Sequence, residues 1–146
     1  YDQMGVLYSS KGDFLALDYF NAALRLQPYR YDIHYKVGMF YQSFRAFDEA
    51  IQAYNRALEI RPDHKTSLHN IAVIEVFRNS YESAIAYFTK AIAADESYVE
   101  AYFGRAYCYE LIGDLVKSES DYRTSLMLDV KYLPPRKGMD RLKELK

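Results

Sequence analysis

Three histidines and one cysteine are the side chains of this 146-residue chain best suited to hold a metal or attack a substrate. They are His34, His64, His69 and Cys108. A helix brings together positions three or four apart, and none of the histidines has a cysteine, a carboxylate or a second histidine there. His64 and His69 flank an expected turn. Packing or hydrogen bonding accounts for all three, and no metal is expected. Cys108, within Ala106-Tyr107-Cys108-Tyr109, reads as a small buried hydrophobe. A reactive thiolate needs a cation beside it, and only Arg105 is near in sequence. A single cysteine also excludes an internal disulfide framework while leaving the compartment open. No glycine-rich phosphate loop, nucleophile elbow or zinc-hydrolase motif occurs. Neither catalysis nor a cofactor is expected.

Composition narrows the partners. Lys plus Arg number 19 and Asp plus Glu 20, a net charge of −1, so no global field recruits nucleic acid or an anionic membrane. No apolar run approaches the roughly 18 residues of a membrane span, and no signal-peptide pattern is present. Membrane insertion by this segment is not expected. Half the residues are apolar, enough for a continuous core in one domain. The chain opens on Tyr1, already in a core column, and so reads as a piece of a longer protein. Cytoplasmic and periplasmic settings both fit.

The stretch from Asp32 to Pro62 shows what could position such side chains. His34, Val37, Gly38 and Tyr41 fall on one helical face, then Ala50, Tyr54 and Ala57 on another, with a polar break near Arg45-Ala46. Pro62 closes the second run, because the residue before a proline is pushed out of helical geometry. Two short helices joined tightly cannot bury their own apolar faces. Their neighbours recur at a fixed period: Ala16, Ala50, Ala84 and Ser118 lie 34 apart, as do Phe20, Tyr54, Phe88 and Tyr122. Ala23, Ala57, Ala91 and Ser125 repeat likewise, and Gly5, Gly38, Ala72 and Ala106 are separated by 33, 34 and 34. Gly12-Asp13 and Gly113-Asp114 supply turns.

This pattern resembles the tetratricopeptide repeat family, a 34-residue helix–turn–helix with an aromatic, a Leu-Gly pair, Tyr, Ala, Phe and Pro at set places. His34, Val37-Gly38, Tyr41, Ala50, Tyr54, Ala57 and Pro62 occupy them here; Tyr1, Met4-Gly5, Tyr8, Ala16, Phe20, Ala23 and Pro28 do so in the first repeat. The resemblance covers about 130 residues at that repeat length. It implies an all-α, right-handed superhelical solenoid spanning residues 1–146 as a single domain. Repeats are expected at 1–30, 31–64, 65–98 and 99–132, with a C-terminal capping helix over 134–145.

The repeats are not uniform. Glu75 replaces the aromatic of Tyr41 and Glu96 the closing proline; Arg105 stands in the column of Val37 and Ile71. Glu75 and Arg105, of opposite sign on adjacent first helices, are expected to pair, since a lone buried charge is costly. Ser118 and Ser125 can each bond their hydroxyl back to the preceding turn, so they fit the alanine columns in size. After Met127 the register is expected to end, with Tyr132-Leu133-Pro134-Pro135 as a stop. The closing helix, with Met139 and Leu142 inside and Arg136, Lys137, Arg141, Lys143 and Lys146 outside, should cover the last hydrophobic edge.

In such a stack the first helices line the concave side, where relatives generally hold peptides. The inward places are Gln3, Val6, Tyr35, Lys36, Met39 and Gln42, then His69, Asn70, Val73 and Phe77, then Phe103, Tyr107 and Glu110. Ser10, Val76 and Gly104 share that face. This apolar and aromatic row suits a peptide groove on a protein partner. A peptide-binding interaction scaffold is the first reading. The alternative is an assembly module, self-associating through its open N-terminal repeat, or the regulatory domain of a larger protein. Some relatives clamp the C-terminal carboxylates of heat-shock chaperones with Lys, Asn and Arg along the concave side; only Lys36 and Asn70 could serve here, so that ligand is expected to be rejected.

Overall fold

The computed structural model describes residues 1–132 and 134–145; Leu133 of the expected stop and Lys146 of the expected basic surface lie outside them. The described residues form α1 (Asp2–Ser10), α2 (Leu15–Leu26), α3 (Tyr31–Ser43), α4 (Phe47–Ile60), α5 (Lys65–Phe77), α6 (Tyr81–Ala94), α7 (Val99–Leu111), α8 (Leu115–Leu128) and α9 (Pro134–Leu145), without a strand. None is long and apolar enough to cross a membrane. The architecture is an all-α helical repeat. It divides into two compact units, residues 1–67 and 68–146.

Each hairpin turns on one residue in the left-handed region: Gly12 (φ +66°), Arg45 (+59°), Asn79 (+59°) and Gly113 (+85°). The amide that follows reaches back to the first helix, from Asp13 to the Tyr8 carbonyl, Ala46 to Tyr41, Ser80 to Glu75 and Asp114 to Tyr109, all at 2.9–3.0 Å. These bonds satisfy carbonyls that the helix end would leave orphaned. The turn therefore needs a backbone conformation more than a side chain. That explains why Glu75 can stand where Tyr41 stands.

Within the first unit the small columns let a ring lie flat on a helix. A Cβ added to Gly5 would sit 2.6 Å from the Phe20 ring, and one added to Gly38 would sit 2.5 Å from Tyr54. Ala16, Phe20, Ala50, Tyr54 and Ala57 are sealed from solvent. Each such ring contributes about 1.5–3 kcal/mol of burial. In the second unit the rings use a different glycine. Phe88 meets Gly104 of α7, and Tyr122 meets Gly138 of α9, each at 2.3 Å from the hypothetical Cβ. Gly138 lies 34 residues after Gly104. The repeat register thus continues through the closing helix, contrary to the expected end after Met127. Pro134 and Pro135 do not break it, because a helix's first turn tolerates proline.

A second column pair runs beside the first. Tyr35 and His64 pack ring on ring at 5.1 Å, His69 and Tyr98 at 5.1 Å, and Phe103 and Tyr132 at 5.8 Å. Each pair repeats the last at the 34-residue spacing and ties a first helix to the loop that closes its repeat. In the first repeat the same places hold an ion pair, Asp2 with Arg30 at 3.4 Å.

Two further readings of the sequence differ from the structure. Arg105 does not pair with Glu75. Its Nε and Nη2 donate to Asp121 of α8 at 2.6 and 2.8 Å and its Nη1 to Thr89 at 3.1 Å, whereas Glu75 faces Arg78 at 3.9 Å. The partner lies across Arg105's own hairpin, where two oxygens match the guanidinium fork. The serines also reach across their hairpin: Ser118 Oγ donates to the Ala106 carbonyl at 2.8 Å and Ser125 Oγ to that of Val99 at 3.1 Å.

Candidate functional site

The expected inward residues of the first unit split into tied and free. Lys36 Nζ donates to Asp2 Oδ1 at 2.7 Å, and Gln42 Oε1 accepts from the Tyr54 hydroxyl at 2.6 Å. Tyr35 is half-buried between Tyr54 (5.8 Å) and His64 (5.1 Å). Gln3, Val6 and Met39 are exposed. These six do not line the two hollows described in this unit, of about 680 and 190 Å³, which are walled by α2, α4 and His34. His34 is half-buried there with its Nε2 3.2 Å from the Pro28 carbonyl oxygen.

The second unit brings its residues together. His69, Val73 and Phe77 descend one face of α5, and Phe103 and Tyr107 that of α7, around a cavity of about 310 Å³. Val76 and Gly104 complete these walls, Phe88 forms the floor, and Glu100 and Tyr132 close the rim. Phe77 is 61% exposed. The His69 ring, against Phe88 and Tyr98, is held neutral because burial lowers its pKa. Burial likewise raises the Tyr132 phenol, with the Glu100 charge adding to it.

Asn70 and Glu110 stand outside this cavity. Asn70 Oδ1 lies 3.4 Å from His69 Nδ1. Glu110 accepts two bonds from Arg141 (2.9 and 3.0 Å) and one from the Tyr122 hydroxyl (2.7 Å). Burial pushes its carboxyl upward, but these bonds outweigh that and hold it below the usual carboxylate range. A neighbouring hollow of about 600 Å³ shares Phe103 and Tyr107 and adds Pro134, Lys137 and Arg141.

Sequence reasoning passed over Phe88, Glu100 and Tyr132. Phe88 was legible as a core ring, and it also lines the cavity. Tyr132 was signalled by its place 34 residues after Tyr98. Glu100 carried no periodic signal. Cys108 is sealed, and burial pushes its thiol up to about 12, far from a reactive thiolate. Among the described residues no three His, Cys, Asp or Glu side chains form a group that could hold a metal.

Tetratricopeptide repeat patterns match residues 29–97 and 70–126. The peroxisomal targeting signal receptor of Saccharomyces cerevisiae is 30% identical over 94 residues, covering 64% of this chain and 15% of the receptor. The heat shock protein STI1 of the same yeast is 37% identical over 94 residues, covering 60% of this chain and 16% of its own length. The chain thus spans under a fifth of either relative. Among solved structures, MamA superposes with a TM-score of 0.88 at 19% identity, covering 99% of this chain and 85% of that one. The first TPR of Spaghetti (RPAP3), bound to the HSP90 peptide SRMEEVD, gives 0.76 at 20% identity, covering 80% and 92%. Identities this low speak for the fold alone.

Proposed function

The chain belongs to the tetratricopeptide repeat family, and from that membership we propose that it is a non-catalytic interaction scaffold whose second unit holds a peptide segment of a partner protein against α5 and α7. The observation that carries this is the ring-lined cavity of Val73, Phe77, Phe103 and Tyr107. It is large enough for one or two side chains. Rigid aromatic anchors of this kind carry most of the energy of modest interfaces, whose affinities lie near micromolar.

The ligand should differ from that of the RPAP3 structure. Lys36, one of two candidate carboxylate binders, is already neutralised by Asp2, and among the described residues the one ionised group lining the cavity is the acidic Glu100. Peptides selected on the full chain from a random library, then titrated calorimetrically, test the reading. Phe77→Ala and Phe103→Ala should each weaken a selected peptide about tenfold or more, and Lys36→Ala hardly at all. Tight binding of SRMEEVD that disappears with added salt would mean the groove's chemistry has been read backwards.

A second reading, self-association through the first repeat, is favoured by the exposure of Tyr1, Met4 and Leu7 on and beside α1. Leu7→Lys should then lower the molecular mass measured by sedimentation. An unchanged monomer at all concentrations would remove this reading.

A further inference from the structure

The cavity of the second unit is walled by Phe77, Phe103, Tyr107 and Tyr132 over the floor of Phe88, and the one ionised side chain among its lining residues is Glu100. The Glu100 side chain makes no hydrogen bond or ion pair with any described residue, although its charge is felt by the His69 ring and the Tyr132 phenol. His69 is kept neutral by burial and so does not offset that charge. The adjoining hollow is lined by two cations, Lys137 and Arg141, and Arg141 is already engaged by Glu110.

Aromatic faces are negative, and several around one space attract a cation that has shed its water. A carboxylate at the rim adds a charge-assisted bond. An apolar side chain would use the rings but gain nothing from Glu100, which is exposed at the rim, and an anionic one would be repelled by it. We propose that the occupant is a cationic side chain, lysine or arginine, of the partner segment, seated among the rings with its charge at Glu100. This rests on the reading of α5 and α7 as the peptide-binding face and names the chemistry that face selects.

The bland role for Glu100 is local: it lies in the first turn of α7, where a negative charge favours the helix dipole. Binding separates the two. The full chain is titrated with Nα-acetyl-lysine amide, Nα-acetyl-arginine amide and the uncharged Nα-acetyl-norleucine amide, following the Phe77, Phe103 and Tyr107 ring resonances. The two cations should bind at least about fivefold more tightly than norleucine, the size expected of ring and carboxylate acting together. Glu100→Gln should bring that ratio close to one, while a melting curve confirms that the variant remains folded. Norleucine binding as well as the cations would overturn the cation inference and leave the peptide face standing. A ratio unchanged by Glu100→Gln would assign the carboxylate to the helix alone. No shift at the three rings with any probe would overturn the peptide face itself.

Discussion

Arg105 and Asp121 offer a perturbation whose cost can be worked from the structure. Arg105 occupies a column held elsewhere by Val37 and Ile71, and its side chain is only 18% exposed; that of Asp121 is 9% exposed. Two donor–acceptor distances of 2.6 and 2.8 Å close a bidentate pair. Removing one partner of a fully buried pair costs about 3–5 kcal/mol, because the other charge is left without compensation. Residual exposure and the Thr89 contact reduce this, so Asp121→Ala and Arg105→Ile should each cost about 2 kcal/mol. Removing both charges abolishes the desolvation problem and restores the apolar column. The double variant should lie within about 1 kcal/mol of the native chain, a coupling of about 3 kcal/mol. Urea unfolding followed by circular dichroism measures all four proteins. Additive single costs in the double variant would refute the reasoning, since the two side chains would then act independently.

Other outcomes follow from the same contacts. Gly38→Ala places a methyl 2.5 Å from the Tyr54 ring, and despite the better helix propensity it should lower stability by about 1–3 kcal/mol in denaturant titrations. Arg45→Gly should raise stability by about 1 kcal/mol, because Arg45 holds a left-handed φ of +59° that glycine adopts freely; a loss in the same titration would contradict this. His69 has its pKa lowered below the usual 6.5, so its contribution is fully present above that pH and is lost as pH falls through the folded-state value. His69→Phe, which keeps the ring against Phe88 and Tyr98, should make melting temperature less sensitive to acid than in the native chain.

The repeat itself was legible because close packing leaves a spatially periodic demand for small and aromatic residues, and Ala50, Tyr54 and Ala57 answer it at one spacing. What escaped was information carried by pairs. Nothing in the sequence says that Arg105 should prefer Asp121 across its hairpin to Glu75 in the preceding repeat, because the fork geometry exists only once α7 and α8 are docked. The continued register of α9 was hidden by its charged surface and two prolines, although Gly138 repeats Gly104. On the candidate surface, five of the seven residues expected in the second unit line one cavity. Lys36 and Gln42 are spent on internal bonds that spacing alone could not reveal. Glu100 was invisible because a rim position answers to a ligand and not to the repeat.

The central claim is that a partner peptide seats on α5 and α7 of the second unit. Its most direct test is a chemical-shift map of the isotopically labelled full chain, recorded with a library-selected peptide at saturation. Shifts concentrated at Val73, Phe77, Phe103 and Tyr107 are the predicted result. Shifts confined to Asn21, Arg25 and Arg56, which line the larger hollow of the first unit, would contradict it.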